Sequence, residues 1–281
     1  MLKNSRLEYS PAALTARMQR FGLYARKSLG QHFLWDEDVL DAIVDAFGEN
    51  DNPKPPVLEI GPGLGVLTAK LAEVFPQVTA VELDATLLPA LQELFADDPS
   101  VRLVQGDAME VDLCALMPAQ YDIVGNLPYQ ITTPLLERLL MLPGWQRMVV
   151  MVQMEAANRL RAGPGSKAYG MLSIMAGYYA HTTVAASVSP QAFVPPPHVD
   201  SQVLCLQRIP PPVIAEPAAL FRTARLALAQ RRKQLGNASV PDKKAWLAAL
   251  AAAGVDATRR GETLSLAELS QITEGLQGNK G

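Results

Sequence analysis

The sequence predicts an α/β fold: a mostly parallel sheet with helices on both faces, joined to a small all-helical domain at the C-terminal end. Three observations predict it. Between residues 57 and 140, short apolar runs that read as strands alternate with segments of helical spacing. A glycine-rich turn, Gly61-Pro62-Gly63-Leu64-Gly65, directly follows the first of these runs. Beyond Pro210-Pro211-Pro212 the chain becomes Ala/Leu-rich, with its apolar positions at helical spacing.

Each element has its own signal. Leu40, Ile43, Val44 and Phe47 recur on one helical face, with Asp36 placed as N-cap and Gly48 as stop. Residues 51–56 form a proline-rich linker. Strands are expected at 57–60, 78–82, 101–105 and 121–125, and helices at 66–75, 86–95 and 131–140. A strand at 146–153, a short helix at 155–161, a surface loop at 163–167 and a buried helix at 171–179 continue the chain. Two late strands are expected at 181–188 and 203–207. Between them, Phe193-Val194-Pro195-Pro196-Pro197-His198-Val199 must be extended, because proline fixes φ and bars its predecessor from the helical region. The expected division is a basic arm (1–30), the sheet domain (31–209) and the helical domain (210–281).

The chain has 281 residues, 49% hydrophobic and 19% charged, in the range of soluble globular proteins. No apolar run approaches the length of a membrane span, so no membrane partner is expected. The N-terminus is polar and basic, and Cys114 and Cys205 lie far apart without metal-ligand spacing. A reducing, cytoplasmic compartment and no metal are therefore expected. The net charge of −3 argues weakly against a polyanionic partner, but the charges are unevenly placed. Lys3, Arg6, Arg17, Arg20, Arg26 and Lys27 crowd the arm against Glu8 alone, and Arg222, Arg225, Arg231, Arg232 and Lys233 cluster near the other end. Either patch taken alone also reads as a solvated helix face.

Three loops at one sheet edge carry groups suited to a nucleoside cofactor. Gly61, Gly63 and Gly65 let backbone approach a ligand closely, and Glu82, closing the next strand, can take both hydroxyls of a ribose. The spacing Gly-x-Gly-x-Gly departs from the dinucleotide fingerprint Gly-x-Gly-x-x-Gly, which favours S-adenosylmethionine over NAD. Asp107, after the third strand, can accept from an adenine amine or cap a helix. At the end of the fourth strand, Asn126-Leu127-Pro128-Tyr129 combines a carboxamide, a stiffened backbone and an aromatic ring. That set can grip a flat amino-bearing base, although Asn and Pro are also ordinary turn residues.

In these residues the chain resembles the small-subunit (16S) ribosomal RNA adenine dimethyltransferases of the KsgA/RsmA type. Lys27-Ser28-Leu29-Gly30-Gln31-His32-Phe33-Leu34 resembles the family's first motif, Leu58-Glu59-Ile60-Gly61-Pro62-Gly63 its cofactor loop, and Gly125-Asn126-Leu127-Pro128-Tyr129 its catalytic motif. The segment from Phe193 to Ser201 resembles the second target-base motif. Gln230-Arg231-Arg232-Lys233 and Thr258-Arg259-Arg260-Gly261-Glu262-Thr263-Leu264-Ser265 resemble its closing signatures. The resemblance covers nearly the whole chain. It implies a Rossmann-like, S-adenosylmethionine-dependent methyltransferase domain with cofactor contacts at His32, Leu34, Gly61, Gly63, Glu82, Asp107 and Asn126. The family pattern usually has Asn, Lys and Arg where this chain carries Gln130, Met154 and Met171, a loss of positive charge at the last two.

The resemblance further implies dimethylation of the exocyclic N6 amine of adenines in 16S rRNA, in the small ribosomal subunit or its precursor, by a monomeric enzyme. Asn126 and the Leu127 carbonyl would accept from the amine, Pro128 would fix the carbonyl direction, and Tyr129 and Phe193 would sandwich the flipped-out base. Lys27, Arg222, Arg225, Arg231, Arg232 and Lys233 would position the RNA backbone. The rivals are a 23S rRNA adenine methyltransferase of the antibiotic-resistance type, a non-catalytic assembly factor that retains the fold, and a small-molecule methyltransferase. Leu127 and the signature around Arg259 favour the small-subunit enzyme over the first. A complete cofactor set argues against the second, and the helical domain and basic arm against the third.

Overall fold

The computed structural model describes residues 8–48 and 53–278, with the side chain of Lys27 left aside. Lys3, Arg6, Asp51 and Asn52 lie outside the described residues. The chain divides into two compact units, one comprising Met1–Ala157 with Thr182–Arg208, the other Asn158–His181 with Ile209–Gly281.

The arm is not featureless. Ser10 caps helix α1 (Pro11–Arg20) by accepting from the Ala13 N–H, and Pro11 sits at the helix start, where its missing N–H has no consequence. A short strand β1 (Phe33–Leu34) follows, then α2 (Glu37–Asp45), which Asp36 caps as the sequence predicts. The strand-helix alternation then runs β2 (Val57–Ile60), α3 (Val66–Val74), β3 (Val78–Glu82), α4 (Leu88–Leu94), β4 (Val101–Gln105), α5 (Leu113–Leu116), β5 (Tyr121–Asn126), α6 (Thr132–Met141) and β6 (Trp145–Gln153). It continues through α7 (Met154–Leu160), α8 (Met171–Tyr179), β7 (Ala180–Val188), β8 (Phe193–Val194) and β9 (Ser201–Arg208). Three helices end the chain: α9 (Pro217–Leu228), α10 (Lys243–Ala252) and α11 (Leu266–Gly278).

Seven strands form the main sheet in the order β4-β3-β2-β5-β6-β9-β7. The five from β4 to β6 are parallel, and β9 joins β6 antiparallel from Arg147↔Gln207 to Gln153↔Ser201. Every residue of β2 and β3 is buried, as expected where helices cover both faces of a parallel sheet. The order reverses direction at β2, whose C-terminal end is therefore the switch point at which such sheets receive ligands. A separate two-stranded pair, which periodicity cannot show because it is so short, joins β1 to β8 with Phe33 opposite Val194 and Leu34 opposite Phe193.

The unit boundary differs from the expected one. Residues 158–181, assigned by sequence to the sheet domain, group with the C-terminal helices. The reason is that α8 buries Leu172, Ile174, Met175, Ala176 and Tyr178, an apolar surface too wide for one partner. Within this unit Tyr178 meets Phe221 of α9 edge-on at 5.5 Å, and the Tyr169 hydroxyl donates to the Leu264 carbonyl at 2.9 Å. Among the described residues no helix is long and apolar enough to cross a membrane.

Candidate active site

A cavity of about 1060 Å³, including its open mouth, lies at the C-terminal ends of β2, β3, β4 and β5. Its walls bring together His32, Leu34, Gly61, Gly63, Glu82, Asp107, Asn126, Leu127, Pro128 and Tyr129, residues separated widely in sequence. Phe193 is not in that wall.

Gly61 directly follows β2 with φ +71°, and a Cβ added there would meet no atom within 4 Å, so bare backbone faces open space. Glu82 ends β3 and is nearly fully buried. Its Oε2 accepts from the Gly63 N–H at 3.1 Å and its Oε1 from the Asp84 N–H at 2.8 Å. Each oxygen keeps a further lone pair for a ligand hydroxyl. Burial raises the pKa of this carboxyl, the two N–H donors oppose the rise, and the Asp84 charge adds to it. Asp107 accepts from the Met109 N–H at 2.7 Å through Oδ1, so it stiffens its own turn while lining the cavity.

Asn126, the last residue of β5, donates from Nδ2 to the His32 carbonyl at 3.0 Å. A carbonyl only accepts, so the Asn126 amide must present its NH2 there and turn Oδ1 the other way. Leu127 is buried, and its N–H donates to the Met151 carbonyl at 3.1 Å. The Pro128 carbonyl accepts from Thr132 Oγ1 at 2.8 Å, which ties the tetrapeptide to the start of α6. The Tyr129 hydroxyl pairs with Ser201 Oγ at 3.1 Å. The His32 ring stacks on the Tyr129 ring with centroids 5.4 Å apart and planes 26° from parallel. His32 Nδ1 lies 2.7 Å from the Pro195 carbonyl, so Nδ1 carries the proton.

Phe193, expected as the second face of the base sandwich, is 2% exposed, paired with Leu34 and packed in the core, and the ring that stacks on Tyr129 is that of His32. The smallness of Gly125 serves packing, since a Cβ there would lie 2.8 Å from the Ile60 carbonyl.

Glu59 is a site residue that sequence reasoning passed over. It lines the cavity, is buried, and its Oε2 has no hydrogen-bond partner among the described residues. The signal was available: a lone carboxylate inside the apolar strand Val57-Leu58-Glu59-Ile60 has no structural reason to be there.

The basic residues separate into two groups. Arg17 donates to the Ala90 carbonyl at 2.6 Å, Arg20 pairs with Glu93 at 2.6 Å and Arg26 with Asp84 at 3.2 Å, so the described arginines of the arm make contacts within the protein. Arg231 is likewise engaged: it meets Glu262 at 3.1 Å and donates to the Lys167 and Tyr169 carbonyls at 2.9 and 3.0 Å. Arg222, Arg225, Arg232 and Lys233 are exposed and make no side-chain hydrogen bond among the described residues. Arg259 of the closing signature holds Glu268 and the Thr263 carbonyl, which is a fold contact. Met171 and Arg225 line one small surface pocket with Tyr169 and Arg231.

The residues fit S-adenosylmethionine. The bare backbone at Gly61 leaves the space a ligand needs, Glu82 offers paired acceptors to a ribose, and Asp107 to an adenine amine. The unpartnered Glu59 carboxyl adds an acceptor deep in the cavity.

Comparison with known proteins gives the same direction. A family model described as ribosomal RNA adenine dimethylase matches residues 22–277. The chain is 42% identical to ribosomal RNA small subunit methyltransferase A of Pelotomaculum thermopropionicum over 95% of this chain and 96% of that one. It is 39% identical to the protein of the same name from Geobacillus thermodenitrificans, with the same coverage. Among solved structures it resembles a dimethyladenosine transferase from Plasmodium falciparum, with TM-score 0.73 and 25% identity over 89% of this chain and 98% of that one. It also resembles the 23S rRNA methyltransferase ErmE, with TM-score 0.65 and 26% identity over 87% and 99%.

Proposed function

The chain belongs to the ribosomal RNA adenine dimethylase family, S-adenosylmethionine-dependent methyltransferases of rRNA, and on that premise we propose that it dimethylates the N6 amine of adenines in the 16S rRNA of the small ribosomal subunit or its precursor, acting as a monomer in the cytoplasm. The observation that carries the chemistry is the Asn126 amide, oriented by the His32 carbonyl at the mouth of the cofactor cavity.

The bound cofactor supplies an electrophilic methyl group on a sulfonium. The chain supplies position. Glu82 and Asp107 would hold the ribose and adenine, and the backbone at Gly61 and Gly63 the remainder, with His32 and Leu34 also lining the cavity. The N6 amine of a target adenine is a weak nucleophile because its lone pair is delocalised into the ring. Asn126 Oδ1 and the Leu127 carbonyl, both acceptors, draw the amine hydrogens and favour a tetrahedral nitrogen with its lone pair toward the methyl group. Held by these residues, the cofactor would supply the methyl group and keep the electrons of its carbon–sulfur bond, and the amine proton would leave to solvent. No strong base is needed. Pro128, tied to Thr132, fixes the direction of the turn.

Tyr129 is the stacking platform for the flipped-out base. On the face of Tyr129 that His32 covers, the His32 ring would have to move aside to admit the base, because 5.4 Å between ring centroids leaves no room for a third ring. Phe193 supports the wall from the core through β1 and β8. Arg222, Arg225, Arg232 and Lys233 contact the RNA backbone, with Lys27 on the arm. The arm (1–30), catalytic (31–209) and helical (210–281) regions act as the three functional parts, with residues 158–181 of the catalytic region grouped in the same compact unit as the helices.

The relatives at about 40% identity carry the small-subunit name, which favours 16S over 23S rRNA; the likeness to ErmE keeps the second in play as the alternative to be tested. Transfer of tritiated methyl from S-adenosylmethionine to small-subunit and large-subunit particles offered side by side, with mapping of the labelled adenines, tests the reading. Label in 16S adenines is expected. Label confined to 23S rRNA, or none, overturns it.

A further inference from the structure

One wall of the cofactor cavity is a chain segment outside the main sheet: Leu29, Gly30, Gln31, His32, Phe33 and Leu34. The β1–β8 pair anchors Phe33 and Leu34. The residues before them are tied to the sheet at two places: the His32 carbonyl accepts from Asn126, and residues 26–31 are held by one buried carboxylate, Asp84, whose side chain is 1% exposed. Asp84 lies two residues beyond Glu82 and does not line the cavity. Its Oδ2 accepts from Gln31 Nε2 at 2.9 Å, and its Oδ1 from Arg26 Nη1 at 3.2 Å and from the Thr86 N–H and hydroxyl at 3.1 and 2.7 Å. Gln31 Oε1 in turn accepts from the Arg26 N–H at 2.8 Å.

This arrangement has one consistent assignment. A carboxylate only accepts, so Gln31 must turn its NH2 to Asp84 and its carbonyl to Arg26. Burial works to raise the Asp84 pKa, but the bonds from Thr86 and Gln31 and the Arg26 charge outweigh it and hold the carboxyl below its ordinary range. The same turn serves the cofactor pocket, since the Asp84 N–H donates to Glu82 Oε1.

We propose that Asp84 is a positioning residue for cofactor binding: with Gln31 and Arg26 it forms a latch that holds residues 26–32 over the cavity and sets cofactor affinity and release, although Asp84 itself does not touch the cofactor. The inference rests on the reading of the cavity as an S-adenosylmethionine site. Breaking the latch leaves the catalytic tetrapeptide intact, and cofactor contacts restore the wall once the site is filled. The cost therefore falls on cofactor binding and not on turnover at saturation.

The test uses the full-length protein with Asp84→Asn, Gln31→Glu and the double variant. The readouts are the dissociation constant and release rate of S-adenosylmethionine, kcat at saturating cofactor, and amide hydrogen exchange of residues 26–34 in cofactor-free protein. Asp84→Asn sets an NH2 against the NH2 of Gln31, and Gln31→Glu sets two carboxylates together. Each is expected to raise the dissociation constant and release rate about tenfold and to hasten exchange in 26–34, and Asp84→Asn, which lies outside the cavity wall, to leave kcat within about threefold. In the double variant the introduced amide donates to the introduced carboxylate, which still accepts from the Arg26 N–H, so affinity and exchange return to within about threefold of wild type. An Asp84→Asn dissociation constant within about twofold of wild type, unchanged exchange, or a double variant no better than the singles overturns the latch. Wild-type protein that binds no S-adenosylmethionine overturns the cavity reading instead, and the exchange measurement still decides whether the latch exists.

Discussion

Asn126 Nδ2 donates to the backbone carbonyl of His32 at 3.0 Å, a contact between residues 94 apart in sequence. It joins the catalytic tetrapeptide to the segment that walls the cofactor cavity, and it fixes which end of the Asn126 amide is left to meet a substrate amine. The side chain thus arrives at the site already oriented, which is the condition for an acceptor to favour a transition state at no reorganisation cost.

Asn126→Ala removes that acceptor. Methyl transfer to rRNA at saturating cofactor should fall about 100- to 1000-fold, in the range seen when one oriented polar group is lost from a reacting centre. Asn126→Asp is expected to be no better, because its carboxylate would face the His32 carbonyl with no hydrogen to donate. Near-normal turnover in the alanine variant would remove Asn126 from the chemistry.

Tyr129 and Phe193 should respond differently. Tyr129→Ala is expected to weaken productive RNA binding by about 1–3 kcal/mol with little change in melting temperature, whereas Tyr129→Phe, which loses only the bond to Ser201, should remain near wild type. Phe193→Ala should lower unfolding stability by about 3–5 kcal/mol, since it empties a core position. Chemical denaturation beside kinetics separates the two; a stable, inactive Phe193 variant would restore the direct stacking role.

Glu59 gives the thermal stability a pH dependence of defined sign. Burial pushes its carboxyl from 4.5 up to about 8, with the Thr68 hydroxyl opposing and the Glu82 charge adding. Between those values the folded protein holds a proton that the unfolded chain has released, so this group's contribution to stability is present below about pH 4.5 and is lost as pH rises to about 8. Glu59→Gln should flatten the melting temperature over that window and exceed wild type at its upper end. An unchanged slope would mean that Glu59 is charged in the folded protein.

RNA binding should weaken steeply with salt. Replacing Arg222, Arg225, Arg232 or Lys233 by Ala is expected to reduce the log–log salt slope by about one for each phosphate left without its cation, with stability unchanged. Arg231→Ala should instead lower stability by about 1–2 kcal/mol, because the Tyr169 and Lys167 carbonyls lose their donor. Filter binding across a salt series together with thermal melts distinguishes them; identical behaviour of all five arginine and lysine variants would contradict the division.

Much of this protein was legible in its residues. The alternation of apolar runs and helical spacing identified the parallel sheet, and the loop groups Gly61, Glu82, Asp107 and Asn126 pointed to one edge because each ends or follows a strand. Strand position along a chain and side-chain period are local properties, and such properties survive in a one-dimensional reading. Helix α1 was missed because its mean pattern is polar and only Leu14 of its ten residues is buried.

What the sequence by itself determined is therefore the class of fold, the cofactor edge and the identity of the groups that meet there. Only the tertiary structure decided how those groups are used. The β1–β8 pairing carries Phe193 into the core and sets His32 on Tyr129, Arg231 is drawn into its own unit by two carbonyls, and Asp84 reaches back across the β3–α4 turn to Gln31 and Arg26. The physical reason is common to all of them: a side chain's role depends on which distant donors, acceptors and rings exclude water from it, and that exclusion exists only once the chain has folded.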